Sequence, residues 1–330
     1  MSIRVWLLIA AGLALALWPE PAYGWGPATH VHLGVGVLES LALLPPAVRA
    51  LLATHPLDFL YGSVAADISL AKKYVPEGRH CHHWHVGHEI HGAAGTDRLR
   101  AVGIGYLAHL AADTVAHNFF VPRQLLLTSS TRALGHSYWE HRMDHHLGER
   151  YTSLARRVVT EHDHTEADAL FDQVLSATLF TFTTNRRIFR GMIRFQDNDR
   201  WQSVFGTVLQ NSRWTLDGEA VEGYLRRSFD YVIDTMIRGE GSLAAALDPI
   251  GERNLALAKR VRRLALREGA WRRPALLAEM ADDFFPLPEV PFGHWDRQRE
   301  MNPGFPSDAG LLNGAFARRA GAGSSYRRGW

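Results

Sequence analysis

Residues 105–117 place three polar side chains at steps of four in a run whose other members are apolar or small. The three are His109, Asp113 and His117, and residues four apart on an α-helix lie on one face, one turn from each other. Burying two imidazoles and a carboxylate in a row is costly unless something pairs them. A hydrogen-bonded seam between helices would pair them, and so would a divalent metal ion. Because three metal-ligating side chains fall in register, the segment favours a buried helix that forms one side of a metal site.

The rest of the chain from residue 25 shows helical periodicity and no convincing strand alternation. Pro45-Pro46 ends one apolar helix and starts the next. Further helices are predicted over 99–118, 132–150, 166–194 and 219–238. No internal repeat occurs, and short connections between apolar helices favour a single bundle-like domain. The sequence therefore predicts an all-α protein with a single multi-helix bundle over residues 25–300.

The two ends of the chain differ from this body. Residues 1–24 resemble a secretory signal peptide, because Arg4 precedes an apolar run of 14 residues, Val5 to Trp18, and small residues surround position 24. The run is short for a membrane span, so an uncleaved anchor is the less favoured alternative. We expect an exported protein, secreted or periplasmic, that begins at Trp25 and has no transmembrane span after cleavage. Residues 301–330 are rich in Gly, Ser and Arg and predict a disordered tail.

Composition points to metal rather than disulfides as a source of extra stability. The chain has 18 histidines, 15 of them before residue 147, and a single cysteine, Cys81, so no intrachain disulfide can form. Zinc-type sites without thiolate use imidazole nitrogen and carboxylate oxygen. The net charge of +2 is too small to indicate a nucleic-acid or membrane partner by itself.

Other candidate ligands lie on both sides of the 105–117 segment. His136 and Glu140 are again four residues apart, a spacing that lets one helix face present nitrogen and carboxylate to one ion. Upstream, Trp25 with His30 falls at the predicted mature N-terminus, where a free amine and its carbonyl can chelate a metal. Asp67 follows a small-residue run that lets helices pack closely, although a lone Asp is more typical of a helix cap or a surface acid. Residues 80–88 hold a histidine cluster so dense that some members must be bystanders.

Taken in order, these residues resemble the zinc-dependent phospholipase C family and the related single-strand-specific zinc nucleases, which are all-α and hold three zinc ions. The resemblance covers about residues 25–140. It implies one zinc bound by Asp67, His82, His109 and Asp113, a second bound by His117, His136 and Glu140, and a third bound by the amine and carbonyl of Trp25 with His30, with Asp113 bridging to the first. It also implies catalytic roles for Asp67, a candidate general base, and for Asp113.

Several positions leave alternatives open. The step from Asp113 to His117 is four residues, shorter than the six of characterised enzymes, but it keeps the same helix face. His82 fits the context of a histidine before Trp84 best. The alternatives to it are His80, His83 and His85, and His32 competes with His30. His141, His145 and His146 are interpreted as surface groups or as groups that support the ligands.

The function implied is hydrolysis of phosphate esters, most directly phospholipase C-like cleavage of a phosphodiester by metal-activated water. Phospholipid is then the expected substrate. Two alternatives remain: a nuclease-like activity on single strands, which needs stacking aromatics and a basic groove, and a non-catalytic exported protein stabilised by zinc. The basic amphipathic segment 252–273, with eight Lys or Arg against two Glu, could contact a membrane surface peripherally. We favour packing of its apolar face, with Leu257, Val261, Leu264 and Ala265, against the bundle.

Overall fold

The computed structural model describes residues 24–69, 75–128, 133–175, 181–212 and 214–305, and in these ranges it is helical without any β-strand. The all-α prediction is confirmed. No helix in the described ranges combines the length and the apolar character that crossing a membrane requires. The α-helices are α1 (Pro27–Glu39), α2 (Pro46–Thr54), α3 (Pro56–Ala65), α4 (Trp84–Gly92), α5 (Asp97–Val115), α6 (Val121–Leu127), α7 (Ala133–Leu147), α8 (Glu149–Glu161), α9 (Thr165–Val174), α10 (Phe182–Gln196), α11 (Asp199–Gln210), α12 (Gly218–Arg238), α13 (Glu252–Arg267), α14 (Pro274–Phe284) and α15 (His294–Met301).

Helix α5 lies at the centre, packed against α3, α4 and α12. Two glycines let α3 and α5 approach backbone to backbone. A β-carbon at Gly62 would lie 2.1 Å from the carbonyl oxygen of Val102, and one at Gly105 would lie 2.1 Å from that of Phe59. The small-residue run before Asp67 thus does pack closely against a neighbouring helix. The contact brings Asp67, in the 3-10 turn after α3, beside the polar face of α5.

Helix boundaries differ from the periodic pattern where single residues break it. The predicted 132–150 helix is two helices, because Gly148 adopts φ +87° between α7 and α8. The predicted 166–194 helix is also two helices, α9 and α10. Thr181 caps the start of α10, where its side chain accepts a hydrogen bond from the Thr184 amide. Residues 176–180 between them lie outside the described ranges. Periodicity alone cannot detect such interruptions, because the apolar face resumes beyond them.

The predicted 99–118 helix also changes character near its end. Its α-helical part stops at Val115, and Ala116–Phe120 form one π-helical turn. Such wide turns inside α-helices are frequent at functional sites. This turn carries His117.

The basic segment packs as a helix, as expected, and Val261 and Ala265 of the predicted face are buried, but the buried face is shifted around the helix. In α13, Leu264 is 52% exposed, whereas Arg262 is buried and donates a 2.7 Å hydrogen bond to the carbonyl oxygen of Leu125. A cation there complements the C-terminal end of α6, whose last carbonyls have no partner within the helix. One arginine is therefore inside, and of the predicted apolar face only Leu264 is exposed.

The predicted signal peptide lies almost wholly outside the described residues, which begin at Gly24, and the tail from residue 306 does too. The first part of that tail, up to Phe305, is described. Phe305 is buried, with its ring 5.0 Å from Trp295 and 5.4 Å from Phe229.

Candidate metal centre

Four predicted ligands from three separate elements meet at the C-terminal half of α5. Asp67, His82, His109 and Asp113 are each no more than 1% exposed. The Nε2 atom of His82 lies 3.4 Å from a carboxylate oxygen of Asp67 and 3.2 Å from Oδ2 of Asp113. The Nε2 atom of His109 lies 3.2 Å from the same Oδ2. Asp67 is therefore neither a surface acid nor an exposed helix cap.

Hydrogen bonds on the far side of each ring determine what these imidazoles present to the cluster. The Nδ1 atom of His109 is 2.9 Å from the carbonyl oxygen of Ser63, which can only accept, so Nδ1 carries the proton and Nε2 presents a lone pair. The Nδ1 atom of His82 is 3.2 Å from the Cys81 sulfur, whose thiol donates to the carbonyl oxygen of Ala66. The two Nε2 atoms face each other at 3.1 Å. Nitrogen lone pairs and carboxylate oxygens directed at one point are a donor set that fits zinc.

Asp113 also faces a second group of residues through its other oxygen. The backbone nitrogen of Trp25 lies 3.0 Å from Oδ1 of Asp113, and Nε2 of His30 lies 3.2 Å from it. Burial opposes ionisation of Asp113, but its interactions with His109, then with His30 and His82, outweigh burial and hold the pKa of the carboxyl well below its usual range. The two oxygens of one anionic carboxylate thus serve two neighbouring groups of candidate ligands.

The Trp25 segment is held from several directions. The indole N–H donates to the carbonyl oxygen of Ala112 at 3.0 Å and to the Ser228 hydroxyl at 3.1 Å. His30 stacks on His109 with ring centroids 3.9 Å apart. Burial, and then the neighbouring His109, lower the pKa of His30, which favours the neutral imidazole that metal binding requires.

A third group forms where the π-helical turn faces α7. One ligand atom each from His117, His136 and Glu140 lies within 4.8 Å of the others, and the Nε2 atom of His136 is 2.8 Å from Oε1 of Glu140. The Nδ1 atom of His117 hydrogen-bonds the carbonyl oxygen of Pro249, which directs Nε2 towards the other two side chains.

The alternatives left open by the sequence occupy other places. His80 can join His82 and Cys81 in a further set of potential ligands, so it adjoins the centre. His83 is partly exposed and His85 is exposed. His32 packs edge-on against Tyr151, and burial, then Arg150, lower its pKa to about 4. Unlike His80, the residues His32, His83 and His85 belong to no group of converging ligands found in the described residues.

The three histidines that follow Glu140 also lie outside these groups. His145 and His146 are exposed, and the ring of His141 contacts that of Phe205, 5.8 Å away. This arrangement agrees with their interpretation as surface or supporting groups.

Sequence reasoning missed several residues that support this centre, among them Ser63, whose carbonyl oxygen orients His109. Ser228 and Pro249 belong to the second half of the chain, where no motif marks them. Asp144 is buried on α7 and accepts hydrogen bonds from the first turn of α1. Burial raises the pKa of this carboxyl to about 6, although the hydrogen bonds from Thr29 and Ala28 oppose the increase. One signal could have found it: Asp144 continues the four-residue step of His136 and Glu140.

Comparison with known protein families agrees with this geometry. A family model described as zinc dependent phospholipase C matches residues 29–182. The matched segment contains eight of the nine proposed ligands and lacks Trp25. No curated protein matches the chain, and no solved structure does. Over residues 29–182, the chain is thus similar in sequence to the zinc-dependent phospholipase C family.

Proposed function

We propose that the chain is a zinc-dependent hydrolase of phosphate esters that cleaves phosphodiesters in the manner of a phospholipase C. The observation that carries the proposal is the convergence of three buried groups of nitrogen and oxygen ligands about α5, two of which share Asp113. Groups of this composition suit zinc.

The proposed ligand sets follow the three groups. Asp67, His82, His109 and Asp113 would hold one ion; His117, His136 and Glu140 a second; Trp25 and His30 a third, next to Oδ1 of Asp113. The second set has only three protein ligands, which leaves a position open, as in catalytic rather than structural zinc sites. Zinc bound there supplies Lewis acidity, which polarises phosphoryl oxygens and makes water nucleophilic at neutral pH.

The protein groups then have distinct roles. Asp67, buried at the edge of the first set, takes the proton from the attacking water as general base. Asp113 keeps the first and third sets together. The carbonyl groups of Ser63 and Pro249 keep His109 and His117 in the tautomer that leaves Nε2 unprotonated.

The proposed mature form begins at Trp25, after removal of a signal peptide over residues 1–24, and the protein is exported. The position of the Trp25 nitrogen supports this, because cleavage before it would free an amine 3.0 Å from Asp113. We assign the catalytic domain to residues 25–300. Phospholipid is the proposed substrate, with the lipid presented at a membrane surface.

The test measures metal and activity together. The chain beginning at Trp25 should bind more than one zinc and hydrolyse a chromogenic phosphodiester and phosphatidylcholine vesicles, with loss of activity on chelation. Asp113→Asn should remove activity, whereas Asp97→Asn, on an exposed residue of the same helix, should not. Full zinc loading with no hydrolysis of either substrate or of single-stranded DNA would assign a structural role to the metal. Hydrolysis of DNA alone would assign the nuclease alternative.

A further inference from the structure

We propose that Asp144 is a positioning residue for the metal centre: its carboxylate fixes the first turn of α1 and thereby sets Trp25 and His30 against Asp113. The inference rests on the proposed function, since it concerns the third ligand set. It assigns a role to a side chain that belongs to none of the groups of converging ligands found in the described residues.

Helix α1 has no side-chain cap from its own N-terminal residues. Residue Gly26 precedes α1 and has no side chain with which to accept from the first turn, and Pro27 occupies the first helical position. Pro27 has no N–H, so the first backbone donors that need a partner are those of Ala28 and Thr29. His30 follows directly and bonds back to the carbonyl oxygen of Gly26.

Asp144 supplies the missing acceptor from another helix. Its Oδ1 atom lies 2.9 Å from the Thr29 amide nitrogen and 2.7 Å from the Thr29 hydroxyl oxygen, and its Oδ2 atom lies 3.2 Å from the Ala28 amide nitrogen. A carboxylate at this end of a helix is favoured by the helix dipole and by charge-assisted hydrogen bonds. Three donors from two consecutive residues therefore converge on one carboxylate.

The chain just before the helix is held against the same carboxylate. A β-carbon at Gly26 would lie 2.2 Å from Oδ2 of Asp144, so only glycine fits there without displacement. Gly26 is the residue after Trp25 and lies four residues before His30. The contact therefore fixes the path of the backbone between the two proposed ligands of the third ion.

The position of Asp144 along α7 gives the contact its significance. His136, Glu140 and Asp144 follow one another at steps of four, hence on one face of the helix. The first two belong to the second ligand set, and the third braces the element that carries the third set. One helix thus fixes the relative placement of both sets.

A purely structural cap and a positioning residue predict different results. Removing the carboxylate should destabilise the protein in either case. Only if Asp144 is a positioning residue should the protein lose one metal ion selectively. The chain offers a matched control in Asp217, which caps α12 by accepting from the amides of Glu219 and Ala220 at 3.0 and 3.2 Å. Asp217→Asn makes the same change in a helix-capping carboxylate that touches none of the proposed ligands.

The experiment titrates the metal-free chain beginning at Trp25 with Zn²⁺ and counts sites by calorimetry and by native mass spectrometry. In Asp144→Asn, the new amide would face the Ala28 or Thr29 N–H, and we expect one site to weaken by about 10- to 100-fold while the others are retained. Thr29→Val, which keeps both backbone bonds, should show a smaller loss at the same site. Asp217→Asn should keep every site.

Each other outcome overturns the inference. Unchanged affinities in Asp144→Asn would show that the carboxylate does not set the ligands. Loss of all sites together with the helical circular dichroism signal, with Thr29→Val unaffected, would assign Asp144 to the fold alone. These results differ from failure of the proposed function, in which the unsubstituted chain itself would bind no zinc or would bind it without hydrolysis.

Discussion

Gly251 lies directly against the backbone of His117: a β-carbon at Gly251 would be 2.4 Å from the His117 carbonyl oxygen. The glycine also adopts φ +63° at the start of α13, two residues after Pro249, whose carbonyl accepts from the imidazole of His117. The turn can therefore hold His117 only if it keeps glycine at this position.

Gly251→Ala should weaken zinc binding at the set containing His117, because the turn must move and Pro249 moves with it. We expect a loss of about 10- to 100-fold in affinity for one ion, typical of disturbed groups behind a ligand. Gly269→Ala is the matched control, since Gly269 also has positive φ, +70°, but a β-carbon there meets nothing within 4 Å. It should show only the cost of the left-handed conformation, about 1–2 kcal/mol in unfolding free energy. Equal zinc affinities in the two variants would contradict the prediction.

The residue before Trp25 should decide whether the third ion binds. A chain beginning at Trp25 has a free amine near Asp113, whereas any preceding residue converts that nitrogen to an amide, a poor metal ligand. The substitution Gly24→Ala should disturb the site further, since the added β-carbon would lie 1.9 Å from Oδ1 of Asp113. Metal analysis should give one zinc fewer for the chain that starts at Gly24 than for the chain that starts at Trp25. The Gly24→Ala variant of the longer chain should not bind more zinc than its parent. The same zinc content in all three chains would exclude the terminal amine as a ligand.

Close contact between α3 and α5 should make Gly105 intolerant of a side chain. Gly105→Ala places a β-carbon 2.1 Å from the backbone oxygen of Phe59, so we expect destabilisation by about 1–3 kcal/mol from overpacking. Gly191→Ala in α10 meets nothing within 4 Å and should stabilise the chain by up to about 1 kcal/mol through helix propensity. Urea unfolding of both variants measures the difference, and a stabilised Gly105→Ala variant would refute the close approach.

Asp58 should contribute stability that depends on pH. Burial raises the pKa of this carboxyl, but hydrogen bonds from His162 at 2.9 Å and from Arg98 at 3.0 Å outweigh burial, so the net shift is below the usual value of 3.8. A depressed pKa stabilises the fold above the unfolded-state pKa, and the contribution is lost as pH falls through the folded-state pKa.

Asp58→Asn should therefore lower the unfolding free energy by about 1–3 kcal/mol at pH 7, and the difference from the unsubstituted chain should shrink below about pH 4. Asp97→Asn, which breaks an exposed ion pair with Arg100, should stay within about 0.5 kcal/mol. Denaturation curves at pH 7, 5 and 3 test both. A difference for Asp58→Asn that does not change between pH 7 and pH 3 would refute the electrostatic account.

The local sequence pattern was sufficient to predict the all-α class and the polar face of α5. His109 and Asp113 could be identified because both their spacing and the apolar run around them are encoded within a few turns. The association of Asp67 and His82 with them needed the family resemblance, because nothing local specifies which distant residues a helix face will meet.

Other features could not be read from periodicity. The π-helical turn at His117 and the break at Gly148 each depend on one or two residues within an otherwise regular pattern. Burial of Arg262 depends on carbonyl groups of a separate helix, α6. A hydrophobic pattern predicts which residues are buried, but it does not predict the polar partner of a buried side chain.

The hydrogen bonds from Trp25 to Ser228 and from His117 to Pro249 lead outside the segment that matches the family. A fragment ending at residue 182 would retain every proposed imidazole and carboxylate, yet Trp25 would lose one of its two indole hydrogen bonds and His117 would lose the carbonyl group that orients it. The first half thus holds the proposed ligands and orients His82 and His109, whereas the orientation of His117 depends on the second half. Substitutions after residue 182 should therefore be able to change metal affinity while every proposed ligand stays in place.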